Sequence, residues 1–415
     1  MKKTLKIPFW LRKLGVYLAV LGPGFITASA DNDAPGIATY SMVGSTYGYQ
    51  FLWLILVITF GEVIVQEMAA RMGVVTGKGT ADLIRERFGV RVTTFAMVCL
   101  LIANLGTTVA QFAGVAAAGE LFGISKYITV PLAALIISYL VLRGSYRHVE
   151  KVLLILCLSA FSYVVVAFMI KPDWGEIAKA FVVPNFNSLD TPFILAVLAV
   201  IGTTITPWGI FYMQASVADK GVEMKNYNLT RTDVVSGAIW GNIISAFIII
   251  TTAGTLFIQG IRVQSAEEAA LALAPIGPAA TILFSIGLLG ASLLAVSVLP
   301  LSTTYAICEA FGFERGLNRT PREAPVFYSL FGIIVTISTL IVLVPKMPLF
   351  SIMLLSQSMN AILLPVLLVL LLKLANDQSL MGNWTNKRLG NFLAITLTAL
   401  ISLVTLVLLI SPLID

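Results

Sequence analysis

The stretch that decides the fold is residues 28–36, which read Ala28-Ser29-Ala30-Asp31-Asn32-Asp33-Ala34-Pro35-Gly36. It lies inside a long apolar segment, yet it holds two carboxylates and a Pro-Gly pair. Pro35 has no backbone N–H and Gly36 disfavours helix, so a spanning helix should break here and free carbonyl groups such as that of Ala30. Carboxylates beside free carbonyl oxygens in mid-membrane predict a cation site.

A second stretch of the same kind occurs in the sixth predicted span. It reads Gly202-Thr203-Thr204-Ile205-Thr206-Pro207-Trp208-Gly209, with a proline and several hydroxyl oxygens in mid-span. Two interrupted spans at corresponding positions of two halves are typical of transporters that bind their cargo at broken helices. The alternative for the first stretch is a bent helix end that carries Asp31 and Asp33 to the membrane surface.

The composition is that of an integral membrane protein. Of the 415 residues, 58% are hydrophobic and 12% are charged, whereas about 25% of a soluble chain is charged. Eleven apolar stretches approach or reach the roughly 20 residues that cross a bilayer. We expect spans at 14–43, 50–73, 93–122, 127–143, 150–170, 192–217, 232–258, 278–311, 325–344, 349–373 and 389–412.

The basic residues test this count. With the N-terminus in the cytoplasm, 22 of the 27 Lys and Arg residues fall on the cytoplasmic side, and the excess recurs at every second loop. The net charge of +6 therefore indicates membrane orientation and no nucleic-acid partner. We expect a multi-pass protein in the lipid bilayer of a prokaryotic cell membrane, and a monomer.

The spans also predict the domain organisation. Five helices precede the sixth, so a repeat that begins there enters the membrane from the opposite face. We expect one all-α transporter domain over 1–415, with a first repeat at 14–170, an inverted repeat at 192–373, and an extra helix at 389–412.

Three segments carry a family resemblance. They are Gly22-Pro23-Gly24-Phe25 with Asp33 downstream, then residues 70–78 (ARMGVVTGK) with 82–88 (DLIRERF), and then Leu355-Ser356-Gln357-Ser358 with Leu364-Pro365. They resemble the first, second and tenth helices of the NRAMP divalent-metal transporters. The resemblance implies two inverted five-helix repeats, as in amino-acid transporters. With the two breaks it implies these metal-site residues: Asp33, Asp31, Ala30, Gly36, Thr203, Thr206 and Gln357.

The positions at which this chain departs from the family pattern indicate which ion it carries. Gly36 stands at the place of the family's metal-binding Asn, and Thr206 and Trp208 stand at the places of a Met and a His. Thr108 and Gln111 replace two acids of the family's proton pathway. A thioether favours transition metals, whereas hydroxyl, carboxylate and water oxygens suit Mg²⁺. These departures resemble the prokaryotic NRAMP-related magnesium transporters, which carry hydrated Mg²⁺ without proton movement.

We therefore predict uptake of partly hydrated Mg²⁺, and also Mn²⁺, by alternating access without proton coupling. The ion is cargo, and no cofactor is expected. The alternative is a proton-coupled Mn²⁺ or Fe²⁺ symporter of the same family. An amino-acid carrier is disfavoured because two acids at the break would repel a substrate carboxylate.

An enzyme is also disfavoured. The single histidine, His148, and the three cysteines, Cys99, Cys157 and Cys308, provide neither zinc-ligand spacing nor a Ser-His pair.

Other polar residues inside the spans have open roles. Glu62 and Glu67 could be vestibule charges, proton-sensitive groups or partners of Arg71. We interpret Glu309 and Asn242 as structural.

Overall fold

The structure is a computed structural model that describes residues 32–142, 156, 158–185, 190–317 and 319–414. Within these ranges the chain forms helices, turns and loops, without a strand. The first helices are α1 (Ala34–Tyr47), α2 (Leu52–Thr76), α3 (Thr80–Leu121), α4 (Lys126–Leu142), α5 (Phe161–Met169), α6 (Trp174–Val182), α7 (Thr191–Thr204) and α8 (Pro207–Asp219). They continue with α9 (Tyr227–Thr255), α10 (Ala266–Ala270), α11 (Ala280–Phe311), α12 (Pro325–Leu343), α13 (Leu349–Ala375), α14 (Gln378–Met381) and α15 (Arg388–Ile414).

The predicted all-helical membrane fold is confirmed. In the described part of the chain, eight helices are long and apolar enough to span a membrane, counting α7 and α8 as one interrupted span, and two shorter apolar helices lie at 126–142 and 158–169. Residues 14–31 of the first predicted span and most of 150–157 lie outside the described residues. The total of eleven spans and the inverted repeats stay predictions.

The third span differs from the sequence prediction. It was expected to begin at residue 93, but α3 begins at Thr80 and is interrupted at Gly89, whose backbone is non-helical (φ 72°, ψ 179°). The charged residues 85–87 suggested a loop. They lie instead in a short helical segment before the apolar part of α3, because glycine adopts a positive φ without steric cost and allows the chain to turn between the two segments.

The packing places both interrupted spans in the middle of the bundle. α1 packs against α9, α13 and α7, and α2 packs against α9 and α8. α3 runs along α11 and α13, and α13 also runs along α7. α15 lies at the periphery, since only 22% of the residues in its most apolar stretch are buried inside the protein. The ends of α1, α7 and α8 therefore meet inside the protein rather than at the lipid.

Candidate functional site

Asp33 stands at the N-terminus of α1, where the first break was predicted. Its backbone is extended (φ −75°, ψ −179°), and its Oδ1 accepts a hydrogen bond from the Gly36 N–H at 2.8 Å. Pro35 occupies the first turn, where a missing N–H removes no helical hydrogen bond. The side chain is only 3% exposed. The break therefore holds a buried carboxylate at the positive end of a helix dipole, whereas Ala30 and Asp31 lie outside the described residues.

The other carboxylate oxygen of Asp33 contacts α3. Gln111 Nε2 donates a hydrogen bond to Asp33 Oδ2. α3 comes this close to α1 because Gly114 lacks a side chain: a Cβ there would lie 2.3 Å from Ala34 Cβ and 2.5 Å from Ser292 Oγ. Gln111 is fully buried, and its Oε1 has no hydrogen-bond partner among the described residues. A buried acceptor of this kind is costly until a donor reaches it.

The second predicted break lies between α7 and α8. Thr206 has an extended backbone (φ −88°, ψ 137°), and its Oγ1 accepts from the Gly209 N–H at 3.3 Å. Pro207 is the first residue of α8, and Pro35 is the second residue of α1. The last turn of α7 leaves carbonyl oxygens without intrahelical partners. In the same turn, Thr203 Oγ1 is buried with no partner in the described chain. Hydroxyl and carbonyl oxygens therefore lie together at this break.

Two contacts join the breaks to each other and to α13. Tyr40 of α1 and Thr204 of α7 share a hydrogen bond between hydroxyl oxygens 2.9 Å apart. α7 touches the backbone of α13 at Gly202, where a Cβ would lie 2.0 Å from the Gln357 carbonyl oxygen and 2.8 Å from the Ala361 nitrogen. Only glycine permits this approach. It places Gln357 directly beside the last turn of α7.

The Gln357 side chain is bound within its own helix. Its Oε1 accepts from Asn360 Nδ2 at 3.0 Å, and its Nε2 donates to Ser356 Oγ at 3.2 Å. Asn360 Nδ2 also lies 3.0 Å from Thr107 Oγ1 of α3. The Gln357 side chain therefore reaches α3 through Asn360, and a role at the ion remains a proposal.

The structure brings most of the predicted site residues to one region. Asp33, Gly36, Thr203, Thr206 and Gln357 all lie at the two breaks or on the helix that contacts them. The sequence interpretation missed the role of Gln111 as the partner of Asp33 and treated Gln111 as the replacement of a family acid. The signal was present: a polar side chain in an apolar span needs a partner.

Trp208, which stands where the resemblance implies a histidine, makes an apolar contact. Its side chain is 1% exposed and packs against Leu294 and Leu299 of α11, while its Nε1 has no partner within the described chain. Ser302 Oγ lies 3.4 Å from the Trp208 carbonyl oxygen. An indole does not titrate near neutral pH. This corner of α8 therefore packs against α11 rather than forming a proton-transfer group.

The two acids of α2 have different partners. Glu67 Oε1 lies 3.1 Å from Arg71 Nε and also accepts from Tyr227 OH. Arg71 also donates to the Trp384 carbonyl at 2.6 Å. Of the roles left open by the sequence, partnership with Arg71 applies to Glu67, which lies away from Asp33 in this network. Glu62 instead accepts from two amides.

The candidate site is rich in oxygen and poor in other ligands. Among the described residues, no group of three or more His, Cys, Asp or Glu side chains could hold a metal ion. The polar atoms at the breaks are the carboxylate of Asp33, the amide of Gln111, the hydroxyls of Thr203 and Thr206, and backbone carbonyls. Such a set suits a hard cation that brings its own water ligands.

Comparison with known proteins assigns the family. The model of the family described as "Natural resistance-associated macrophage protein-like" (Nramp) matches residues 24–411. The chain belongs to the Nramp family. The divalent metal cation transporter MntH of Erwinia tasmaniensis is 27% identical over 401 residues, which cover 93% of each chain. Members of the Nramp family are membrane transporters of divalent metal ions, so this protein is a transporter and not an enzyme.

Solved structures agree with the fold. A manganese transporter of Eremococcus coleocola, in complex with an aromatic bis-isothiourea substituted compound, has a TM-score of 0.75 at 22% identity and covers 97% of this chain and 88% of its own. MhsT in complex with L-phenylalanine has a TM-score of 0.62 at 16% identity, covering 94% and 98%. At these identities the likeness concerns the fold alone. This Nramp protein thus shares its fold with both of these structures.

Proposed function

We propose that this Nramp protein takes up Mg²⁺, and Mn²⁺ as a second cargo, by alternating access and without moving protons. It would act as a monomer in the cell membrane of a prokaryote, with its N-terminus in the cytoplasm. The observation that carries the proposal is the pair of buried acceptors at the breaks, Gln111 Oε1 and Thr203 Oγ1, that have no donor in the described part of the chain.

These acceptors suit a hydrated ion. Mg²⁺ dehydrates reluctantly and keeps several waters when it binds to one or two carboxylates. A metal-bound water directs its hydrogens outward, so its neighbours must be acceptors. Asp33 offers the negative charge, and Gln111 and Thr203 offer oxygens that such waters could reach. The Gln111 amide would then hold Asp33 through its N–H and a water through its carbonyl.

The same positions lack soft ligands. Thr206 stands where the family pattern has a thioether, and Gly36 adds no side chain next to Asp33. Without sulfur, the site lacks the soft ligand that would favour a transition metal over Mg²⁺. A proton-coupled Mn²⁺ or Fe²⁺ symporter is the alternative. It would need titratable groups along α3 and α8, where this chain has Thr108, Gln111 and Trp208.

The decisive experiment is metal uptake into proteoliposomes, with Mg²⁺, Mn²⁺ and Ca²⁺ compared in parallel. We expect the parent protein to carry Mg²⁺ and Mn²⁺, and Asp33→Ala to lose both at least tenfold while it stays folded in detergent. Asp190→Ala is a matched control, since Asp190 also caps a helix by accepting from the Phe193 N–H at 3.0 Å, but away from the breaks.

Two results would contradict the proposal. Mn²⁺ uptake without any Mg²⁺ uptake would favour the symporter. Equal loss in Asp33→Ala and Asp190→Ala would mean that helix capping, rather than ion binding, explains the effect, since loss of a cap alone costs about 1 kcal/mol.

A further inference from the structure

A second carboxylate lies buried in the middle of α2. Glu62 is 2% exposed, in the eleventh of the 25 positions of the helix. Its Oε1 accepts from Gln66 Nε2 at 2.8 Å, and its Oε2 accepts from Asn242 Nδ2 of α9 at 2.6 Å. Both donors are neutral amides. Two accepting oxygens suit the ionised form of a carboxylate, because a protonated oxygen would itself be a donor.

The segment that carries Asp33 is attached to the same turn of α9. Asn32 Nδ2 donates to the Gly241 carbonyl at 3.1 Å, and Ser245 Oγ donates to Asn32 Oδ1 at 3.1 Å. Gly241 is the residue directly before Asn242, which binds Glu62. Because a helix rises about 1.5 Å per residue, the contacts at Gly241 and Asn242 lie at nearly the same level of α9. Helix α9 thus joins Glu62 to the segment of the first break.

An independent contact places Glu62 at the level of the second break. At Gly61, the neighbour of Glu62, a Cβ would lie 3.3 Å from Ile205 Cδ1. Ile205 is the first residue after α7 and belongs to the break. Helix α2 therefore contacts the second break at residue 61, and through Asn242 of α9 its residue 62 is linked to the segment of the first break.

We propose that Glu62 supplies a second negative charge to a divalent ion bound at Asp33, acting through space rather than as a ligand. This inference rests on the proposed binding of a divalent ion at Asp33. A divalent ion carries two charges, and one carboxylate leaves half of that charge uncompensated in a low-dielectric interior, where interactions between charges are strong. Glu62 makes the site selective for doubly charged cations.

Asn242 serves this arrangement as a positioning residue. Its Nδ2 donates to Glu62 and also to the Ala238 carbonyl at 2.9 Å, which fixes the amide on α9. Its Oδ1 is buried without a partner among the residues described. The Asn242 amide and the Glu62 carboxylate are hydrogen-bonded to each other. A carboxylate at position 242 would therefore lie within one hydrogen-bond length of the place where the Glu62 carboxylate lies now.

That geometry allows a test in which the carboxylate is moved from position 62 to position 242. Mn²⁺ binding to the full-length protein in detergent, followed by the electron paramagnetic resonance of the free ion, is the first readout, and the KM for Mg²⁺ in proteoliposomes is the second. We expect Glu62→Gln, which keeps the size and a hydrogen bond, to raise the Mn²⁺ Kd and the Mg²⁺ KM at least tenfold. We expect Glu62→Gln combined with Asn242→Asp to recover to within threefold of the parent.

Control variants separate the charge from its position. Glu309→Gln removes another buried carboxylate, one that accepts from the Gly79 N–H and lies 3.3 Å from Arg315, and should leave the Mn²⁺ Kd unchanged. Asp31→Asn tests the remaining acid of the first break. Thermal unfolding of each variant in detergent confirms that the compared proteins are folded.

The possible results distinguish failure of the Glu62 inference from failure of the proposed ion site at Asp33. A Mn²⁺ Kd within twofold of the parent in Glu62→Gln overturns the inference, as does a loss that the exchange with Asn242→Asp does not recover. A tenfold loss in Asp31→Asn with none in Glu62→Gln would assign the second charge to Asp31 and overturn it too. Failure of the parent to bind Mn²⁺, or equal binding by Asp33→Ala, would instead refute the site itself.

Discussion

At the scale of single residues, the Asp33 and Gln111 pair determines how the site responds to protons. The carboxylate accepts from a backbone N–H and from a primary amide, both neutral donors that keep their protons at any physiological pH. A titratable group in the place of Gln111 would compete with the metal for the same carboxylate. The identity of this one side chain should therefore affect how strongly protons compete with the metal for Asp33.

Gln111→Glu should make metal binding depend on pH. Two carboxylates in contact share one proton at low pH, and its loss on raising the pH adds a negative charge to the site. We expect the KM for Mn²⁺ to fall at least fivefold between pH 6 and pH 8 in this variant, and to fall less in the parent, which has one carboxylate fewer at the site. Uptake measured across that range checks this, with Gln111→Leu as the control that removes the amide without adding an acid.

A second substitution tests selectivity at the breaks. Thr206→Met combined with Gly36→Asn adds a soft sulfur and reduces the space for water, so preference should shift from Mg²⁺ towards Mn²⁺ or Cd²⁺. Competition of each ion against a fixed Mn²⁺ concentration measures the shift. Unchanged selectivity in the double variant would mean that residues behind these positions set the preference.

The residues at the breaks differ in how far sequence could predict them. Asp33, Pro35 and Pro207 can be recognised from the local sequence alone. Proline removes a helical N–H, and a carboxylate in an apolar span indicates a functional site. The contact between Asp33 and Gln111 joins residues 78 positions apart. It depends on how α1 and α3 pack at Gly114, and no local pattern contains that information.

At the scale of elements, the breaks need close helix contacts to stay in place. The contact of α7 with α13 depends on Gly202, and the contact of α1 with α3 depends on Gly114. Sequence reasoning found the break in the sixth span but not these contacts, since a glycine in an apolar helix does not reveal which neighbour approaches it. It also missed the helical segment before Gly89, because charges at a helix end resemble a loop.

Gly202→Ala should therefore destabilise the protein. The new methyl group would lie 2.0 Å from the Gln357 carbonyl oxygen, which is backbone and must move. We expect a cost of about 1–3 kcal/mol and a loss of metal uptake, since Thr203 moves with α7. Thermal unfolding in detergent measures the first effect. Gly106→Ala in α3 is the control, because a Cβ there meets nothing within 4 Å.

At the scale of the whole molecule, the two interrupted spans have the same local plan. α1 and α8 each begin with a polar cap followed by proline, Asp33 before Pro35 and Thr206 before Pro207. The plan agrees with two repeats that meet at the bilayer midplane, although the inverted repeats themselves stay a prediction. Such a design moves its cargo past a fixed site by rocking one group of helices against another.

The proposed movement of the ion without a proton would make transport electrogenic. If an ion of charge +2 moves alone, an inside-negative potential contributes about 2.3 kcal/mol per charge per 100 mV, and about twice that for the divalent ion. Potential alone should then drive accumulation. In proteoliposomes with a potassium gradient and valinomycin, we expect Mg²⁺ and Mn²⁺ uptake to rise with the imposed potential, while an internal pH dye reports no acidification beyond that of empty vesicles. Vesicles that contain the Asp33→Ala protein correct for leak. Acidification that saturates at the same metal concentration as uptake would show that protons move with the ion, and would direct attention to Glu62 and Glu67 as an alternative proton route.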